Sequence, residues 1–597
     1  MFWKSSITNI IIEKVKIFVK LIILEKNLNL VEKLILQIIK KEKDIILDPF
    51  NNNLNYLKNN TIKTTNFTDI LGKVIEKNKD HIKKKLIKEL DNFPDLFQMK
   101  ISEINFSDKY WKIFFFRKYL KNLVLKKKIS NIFLISSSDF MLHKALKIIF
   151  KKKLSTHIRF LKYFYYIINY LQILIIFLNN FFIELINSII VKKNKFQLSS
   201  KNLLIANFPR DWDLFTLNYK FLGKHTKKFS VIVSNSRTNS NFLKYFHFSK
   251  IPKNFFILES FLNYFDILKI YFTSLVNIFD NYKNIIQSCK NLGLEFYRYE
   301  ILITYNLIEK SKNNTLKLAF SKFLNRNKEY KKSFIPMFEF VESRIYSKVL
   351  NDKKIKTFSF QHSSVMTVHQ TRFFTANHAI KIKKPNFLPS KVFVEGKILA
   401  SVLKSSNINN QIVGAVRLKN YKGYKITKSS SKPNRNILYI DELYDKQNLF
   451  SLLNFINDGK GKFNFFIRLH PANFKKLSKI ILNFEKRNKN IYLDKSKTIE
   501  EAIYKNKIGF CISSSCTSFL DLIRLKQPCF LLKKNNLFLN TPYNFRYKQL
   551  FIDDFNNIEK KFLLSKSRYM PPKNYIKNYI SSMGYEAEKK IGNLLKY

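Results

Sequence analysis

Two clusters of polar residues in the C-terminal half of the chain have the composition of a phosphate-binding site. In the first, Arg468 and His470 follow the apolar run 465–467, and Pro471 fixes the turn that presents them. A guanidinium and an imidazole at the end of one strand can bind phosphate groups. The second cluster follows the apolar run 508–512 and is rich in hydroxyl groups, with Ser513, Ser514, Ser515, Thr517 and Ser518.

Hydroxyl groups at the start of a helix have two roles that the pattern alone does not separate. They cap free N–H groups of the first turn, and together with those groups and the helix dipole they favour a bound phosphate. Ligands of open α/β sheets bind beyond the carboxyl ends of the strands, where both clusters are expected to lie. We therefore predict that Arg468, His470 and the serine-rich turn converge on one phosphate.

Proton transfer at such a site requires a side chain that can act as a base. The candidates, all upstream of the two clusters, are His362, Asp211 and Glu339. His362 follows the apolar run 356–360, and an imidazole exchanges protons readily near neutral pH. A hydrogen-bonded loop histidine, a solvated turn at Asp211 and a solvated helix face at Glu339 are the structural alternatives.

Polar residues beside other predicted strand ends are expected to line the same cleft: Gln361, Arg417, Asp441 and Glu442. Apart from Asp211-Trp-Asp213, no Asp-x-Asp motif of the kind that binds metal ions follows a suitable strand. A metal-independent reaction is therefore preferred. The four cysteines lack the paired spacing of zinc ligands, which favours buried thiols in a reducing compartment. We predict no metal site.

The elements that must position these residues follow from the alternation of apolar and polar runs. Between about residues 203 and 532, short apolar runs alternate with stretches of helical period, which predicts parallel sheets with right-handed crossovers. We expect an α/β fold with two Rossmann-like lobes facing a cleft, a helical N-terminal region and a hydrophobic helical insertion.

The predicted domain organisation has five parts. They are a helical or mixed N-terminal region at 1–125, a first lobe at 126–418, a polar linker at 419–436, a second lobe at 437–570 and a C-terminal helix at 571–597. The first lobe is expected to begin with the strand-like run 131–139. The C-terminal helix could pack across either lobe.

The most apolar segment of the chain, 160–192, interrupts the first lobe. It is long enough to span a bilayer, but asparagines, a glutamine and Glu184 recur in it, and lysines flank both sides. These features favour a membrane-associated helix or hairpin in the cytoplasmic leaflet over a crossing helix. A buried pair of core helices is the structural alternative.

The overall charge gives weaker guidance than its size suggests. The chain of 597 residues has a formal net charge of +64, but Lys, Asn, Ile and Phe are in excess throughout and only 11 glycines occur. This composition is typical of a bias towards AT-rich codons. No aromatic and basic signature of the kind found in RNA-binding domains is present, so no nucleic-acid partner is expected, while surface lysines favour an anionic bilayer.

The motifs together resemble a known group of enzymes. The segment 468–471, the helix 498–502, the turn 512–521 and the residues 526–528 are similar to the nucleotide-binding half of GT-B glycosyltransferases of surface-carbohydrate biosynthesis. The branch includes bacterial sialyl- and polysialyltransferases, Kdo-transferring capsule enzymes and teichoic-acid glycerophosphotransferases. The segments 358–363, 394–396 and 413–417 also match this group, and the resemblance covers roughly 335–532.

The resemblance implies a metal-independent glycosyltransferase of bacterial surface polysaccharides such as O-antigen or capsule. It implies that the His-Pro pair and the Ser/Thr pair hold a cytidine nucleotide, so that one substrate is a nucleotide-sugar donor. The implied acceptor is a glycan or a lipid-linked molecule, and no cofactor is expected. The implied location is cytoplasmic, peripheral or interfacial at the inner face of the cytoplasmic membrane. Asp521 stands where many members have glutamate, and the pair Asp441-Glu442 lacks a following glycine found in some sialyltransferases.

Other functions fit the same motifs. A glycerophosphotransferase that uses a CDP-glycerol type of donor, or a nucleotide-sugar epimerase-like enzyme, would share the two-lobed frame. A non-catalytic membrane-associated scaffold is the third alternative, since fold alone does not imply function.

Overall fold

The architecture is taken from a computed structural model of the chain. The described residues are 20–24, 45–47, 64–65, 109–126, 131–137, 154–158, 162–190, 200–206, 222–234, 255–295, 298–336, 338, 340–361, 387–405, 408–416, 434–441, 446–457, 463–513, 518, 522, 525, 527–532, 551–552, 555–561, 578 and 580–596, with single residues at 74, 78, 81, 85 and 89. Their strands form three sheets, and every named strand pairing is parallel.

The N-terminal sheet has the strand order β3-β2-β1-β4-β5. Its elements are β1 (Lys20–Leu24), β2 (Ile45–Leu47), β3 (Thr64–Thr65), α1 (Lys109–Lys126), β4 (Asn131–Ser137) and β5 (Leu154–Ile158). The strand predicted at 131–139 therefore pairs with β1 in this sheet and not with the first lobe, and the region expected to be helical contributes three strands. Apolar runs as short as β1 do not distinguish a strand from a turn of buried helix, which is why periodicity missed them.

The first-lobe sheet has the order β12-β11-β10-β9-β6-β7-β8. Its strands are β6 (Asn202–Ala206), β7 (Ser230–Val233), β8 (Phe255–Ile257), β9 (Lys332–Pro336), β10 (Lys356–Gln361), β11 (Lys391–Val394) and β12 (Asn410–Ile412). Its helices are α2 (Lys162–Ile190), α3 (Tyr264–Val276), α4 (Tyr282–Leu292), α5 (Arg298–Thr304), α6 (Lys310–Arg326), α7 (Val341–Asp352) and α8 (Lys397–Ser405). Apolar clusters cover both faces of the sheet, as expected for buried parallel strands.

The second-lobe sheet has the order β15-β14-β13-β16-β17-β18. Its strands are β13 (Asn436–Ile440), β14 (Asn464–Arg468), β15 (Ile491–Leu493), β16 (Phe510–Ser513), β17 (Cys529–Leu532) and β18 (Phe551–Ile552). Helices α9 (Lys446–Asn457), α10 (Pro471–Arg487) and α11 (Ile499–Lys505) connect them, and apolar clusters again lie on both faces. The predicted α/β class with two Rossmann-like lobes built on parallel sheets is confirmed.

All three sheets share one topology. In each, the chain places the first three strands in one direction from the centre and then returns to add the fourth strand on the other side of the first. This reversal is the doubly wound order of Rossmann folds, and it creates a switch point between the first and fourth strands. The switch points lie between β1 and β4, between β6 and β9, and between β13 and β16.

The apolar segment predicted at 160–192 forms the single helix α2. Its residues Ile173 and Phe177 belong to the first-lobe core, and Phe177 and Phe181 lie 5.2 and 5.3 Å from the ring of Tyr271 on α3. No helix in the ranges given above has both the length and the apolar character required to cross a bilayer. One face of α2 is therefore a component of the core.

The C-terminal helix α12 (Gly584–Lys596) packs on the first lobe, which decides the question that the sequence left open. Ala587 and Ile591 join the first-lobe apolar cluster with Leu222 and Phe229, and the carbonyl of Glu588 lies 3.2 Å from the His225 ring. The chain thus leaves the second lobe and returns to the first.

The residues before α12 are held on the first lobe by a short set of hydrogen bonds. Ala415 N donates to Ser582 O at 2.9 Å, and Ser582 Oγ donates to Val413 O at 2.7 Å. Gly414, between them, has a φ of +95° in the left-handed region, and a Cβ there would overlap the backbone carbonyl of Ser582.

Replacing Gly414 with alanine is expected to lower the free energy of unfolding by more than about 2 kcal/mol, because the new methyl group meets both a strained φ and a backbone carbonyl. Thermal unfolding of the full chain measures the loss. Ser582→Ala is the comparison, since it removes the hydrogen bonds of this hydroxyl to Val413 O and from Lys590 Nζ and creates no overlap. Its expected loss is about 1 kcal/mol, mostly from the buried bond to Val413. A Gly414→Ala loss no larger than that of Ser582→Ala would contradict the tight approach.

Glu184, on the inner face of α2, gives the first lobe a pH-dependent stability. Its side chain is buried, and burial raises the pKa of the carboxyl to about 8, against the smaller lowering effect of hydrogen bonds from Thr315 and Tyr271. Between the ordinary glutamate pKa and about 8, the folded state holds a proton that the unfolded state has released. Stability from this group must therefore fall as pH rises through that window.

The variant Glu184→Gln is expected to flatten this dependence, which amounts to at most about 1.4 kcal/mol per pH unit. Unfolding temperatures of variant and wild type are measured at pH 6 and pH 8, and the stability of the variant relative to the wild type should be greater at pH 8 than at pH 6. Glu586→Gln, an exposed position on α12, is the control. Parallel pH profiles for wild type and Glu184→Gln would rule out a protonated Glu184.

Candidate functional site

The two clusters predicted to bind phosphate begin at one edge of the second-lobe sheet. Ile440 on β13 is in register with Arg468 on β14 and with Ser513 on β16, so the three residues form one row across adjacent strands. At the usual strand spacing, the backbones of Arg468 and Ser513 are about 10 Å apart. The row lies at the carboxyl ends of the strands that flank the switch point.

The guanidinium of Arg468 is held by the neighbouring strand end. Nη1 lies 2.5 Å from Oδ2 of Asp494 and donates to the carbonyl of Ser496 at 2.9 Å, and Nη2 donates to the carbonyl of Lys497 at 3.2 Å. Asp494 is almost fully buried, with 1% of its side chain exposed. Arg468 thus ties β14 to the loop after β15, and a phosphate contact by Arg468 stays a prediction.

His470 stands at the beginning of α10. Its carbonyl accepts hydrogen bonds from the N–H groups of Asn473 and Phe474, and Pro471 is the first helical residue, where its missing N–H has no effect on helix bonding. The His470 side chain is partly exposed. His470 therefore immediately precedes the positive end of a helix of 17 residues.

Asp441, predicted to line the cleft, has a positioning role. Its carboxylate oxygen Oδ2 accepts hydrogen bonds from the backbone N–H of His470 at 3.1 Å and from Nδ2 of Asn473 at 2.9 Å. The side chain is buried, and its own N–H donates to the carbonyl of Arg468 at 2.9 Å. Asp441 fixes the path of the chain through His470 into α10.

The serine-rich turn is described only at its ends. Ser513 is the last residue of β16 and is buried, and Ser518 is helical and partly exposed. The other predicted residues of the second lobe lie outside the described residues: Ser514, Ser515, Thr517, Asp521 and Glu442. Their convergence on one phosphate stays a prediction.

The first-lobe candidates follow the strands near the switch point between β6 and β9. Gln361 ends β10 and is buried, and His362 comes directly after it. Asp211 follows β6 by five residues in the sequence, and Glu339 follows β9 by three. His362, Asp211, Glu339 and Arg417 lie outside the described residues, so their catalytic or cleft-lining roles stay predictions.

Sequence reasoning missed a buried polar pair at the carboxyl edge of the first-lobe sheet. Ser234 follows β7, Glu259 follows β8, and the Ser234 hydroxyl donates to Oε1 of Glu259 at 2.7 Å. Both side chains are buried. A strand as short as β8, with three residues, has no detectable period in the sequence. A glutamate directly after the apolar run 255–258 was the available signal.

No group of three or more His, Cys, Asp or Glu side chains is placed to hold a metal ion within the part of the chain that the structure describes. Cys289, Cys511 and Cys529 are buried free thiols, and burial raises the pKa of Cys289 to about 12 and that of Cys511 well above its ordinary value. These thiols have the properties of core residues.

No protein-family model matches the chain, and no curated protein matches its sequence. Solved structures do show a distant similarity. UDP-GlcNAc 2-epimerase of Methanocaldococcus jannaschii in complex with UDP-GlcNAc and UDP has 16% identity and a TM-score of 0.33, with 48% of this chain and 81% of that chain covered. A second structure of that epimerase has 13% identity and a TM-score of 0.38, covering 66% and 99%. UDP-N-acetylglucosamine 2-epimerase of Rickettsia bellii has 12% identity and a TM-score of 0.37, covering 66% and 96%.

The Arg468–Asp494 contact predicts a measurable effect on stability. Asp494→Asn removes the charge opposite a largely buried guanidinium, so the free energy of unfolding should fall by about 2–3 kcal/mol. The matched control is Glu559→Gln, which breaks the exposed pair with Arg435 and should cost less than about 1 kcal/mol. Chemical denaturation of the full chain compares the two variants. Equal losses in the free energy of unfolding would show that the buried pair contributes no more to stability than the exposed one.

Proposed function

We propose that the chain is a glycosyltransferase that moves a sugar from a nucleotide donor, of the CMP-linked type, to a glycan or lipid-linked acceptor. The observation that supports it is the row Arg468–Ile440–Ser513 at the second-lobe switch point. Open α/β sheets bind nucleotides at this position, and two motifs chosen from sequence for their phosphate chemistry both begin there.

The proposed donor site places the leaving phosphate between His470 and the serine-rich turn. The N-terminus of α10 and the hydroxyl groups after β16 favour the negative charge that develops on the departing nucleotide. Asp441 keeps His470 in place through the backbone, while Arg468, already paired with Asp494, supports the loop beside it. His470 is therefore the side chain that this proposal assigns to the phosphate.

The acceptor hydroxyl would approach from the first lobe. In the proposed reaction, a base removes its proton, the oxygen attacks the anomeric carbon, and the bond from that carbon to the phosphate oxygen breaks with its electron pair leaving on the nucleotide. Asp211, Glu339 and His362 are the proposed bases, because they follow β6, β9 and β10 in the sequence. No metal ion is assigned a role in this scheme.

Two other reaction classes are compatible with the same fold and the same donor site. A glycerophosphotransferase would use the same donor site with a CDP-glycerol type of donor, and an epimerase-like enzyme would need no acceptor. We place the reaction in surface polysaccharide assembly at the inner face of a bacterial cytoplasmic membrane, as the motif resemblance implies. Product analysis separates these alternatives.

The experiment is a thermal-shift comparison of cytidine and uridine nucleotides on the purified chain. A nucleotide at about 100 times its dissociation constant should add roughly 2.7 kcal/mol to the stability of the folded state. We expect cytidine nucleotides to give the larger shift, and His470→Ala to weaken binding at least about tenfold, which corresponds to about 1.4 kcal/mol.

Arg487→Ala is the matched control, since it removes a cation at the other end of the same helix, about 24 Å from its start. This variant should bind nucleotide like the wild type. Absence of a shift with any nucleotide, or equal shifts in wild type and His470→Ala, would contradict the proposed donor site and favour a scaffold.

A further inference from the structure

Two helices of the first lobe present large apolar side chains to solvent. We call their outer faces the α2–α3 surface, which comprises Leu171, Leu174, Ile175, Leu178 and Phe182 on α2 and Phe265, Leu268, Phe272, Leu275 and Val276 on α3. Ile175 and Phe272 are 63% and 68% exposed. An exposed apolar patch of this extent marks an interaction site, because single exposed apolar residues are ordinary but a contiguous group is not.

The outer faces form one surface because the inner faces of both helices bind the same core. Phe177 and Phe181 of α2 lie against the Tyr271 ring of α3, and Ile173, Phe177, Ile267 and Tyr271 belong to one apolar cluster. The exposed residues lie on the opposite side of each helix at helical spacing. Two adjacent helices with inner faces in one core must direct their outer faces the same way.

The charge on this surface is of one sign. From residue 170 onwards on α2 the only charged side chain is Glu184, which is buried, and α3 carries Asp266 and Lys269. Asp266 pairs with Lys322 at 2.6 Å and bonds the N-terminus of its own helix, whereas Lys269 is exposed. Among these described residues, the surface thus carries a free lysine and no unpaired carboxylate.

We propose that the α2–α3 surface binds an anionic lipid bilayer, with both helices lying in the plane of the membrane. Ile173, Phe177 and Glu184 hold the inner face of α2 in the core, so insertion can bury only the outer face. The chain carries a net charge of +64, which attracts it to anionic headgroups and opposes pairing of this face with a second copy. This inference deepens the membrane location given under the proposed function, and its test does not depend on nucleotide binding or on catalysis.

The test is flotation of the full chain with lipid vesicles of two compositions, phosphatidylcholine alone and phosphatidylcholine mixed with phosphatidylglycerol. We expect binding to the mixed vesicles, weaker binding to the neutral ones, and loss of binding at high salt because headgroup attraction is screened. The double variant Ile175→Asp/Phe272→Asp should lower the partition coefficient at least about tenfold, since it removes two apolar side chains and adds two negative charges.

Phe450→Asp is the matched control, because Phe450 is an exposed aromatic residue on α9 of the second lobe, away from the α2–α3 surface. This variant should bind vesicles like the wild type. Circular dichroism and thermal unfolding verify that each variant is folded. The proposal is overturned if the wild type stays in solution with both vesicle types, if the folded double variant binds as tightly as the wild type, or if Phe450→Asp lowers binding equally. Sedimentation equilibrium that shows a dimer lost only in the double variant would assign the surface to self-association instead.

Discussion

Parallel pairing with a reversal of strand order is the constraint on which the candidate site depends. Because all strands of a lobe run in one direction, each chain segment that leaves a strand at its carboxyl end emerges at the same edge of the sheet. The reversal separates the connections that follow the two central strands. It leaves a gap beyond the carboxyl ends of β13 and β16 in the second lobe, and beyond those of β6 and β9 in the first. Residues far apart in sequence meet at these gaps for no other reason.

Around the second-lobe gap, several polar groups act on the backbone and not on a ligand. Asp441 holds the chain that leads from β14 into α10, and Asp494 holds Arg468 against the loop after β15. Buried carboxylates of this kind are stable because each accepts hydrogen bonds from an N–H group or pairs with a cation. They make the position of His470 a property of the fold, which a donor site requires.

The C-terminal helix α12 and the apolar helix α2 cover opposite faces of the first-lobe sheet. Residues 580–584 cross the carboxyl ends of β11 and β12 through bonds to Glu395 and Ala415, and α12 then covers the apolar cluster around Phe229. On the other face, α2 and α3 cover the larger cluster and leave apolar side chains outside. The first lobe is therefore joined to the returning chain on one side and exposes an interaction surface on the other.

The sequence by itself determined the α/β class, most strands of both lobes, and the expectation that Arg468 and Ser513 lie at strand ends, because apolar runs and strand-end polar residues are local patterns. Only the tertiary structure decided that Asn131–Ser137 joins an N-terminal sheet, that Asp494 neutralises Arg468 from 26 residues away, and that α12 returns to the first lobe. It also decided which side of α2 faces the core, since apolar residues occur on every side of this helix. Pairing partners and exposed faces depend on contacts between distant segments, which no local pattern encodes.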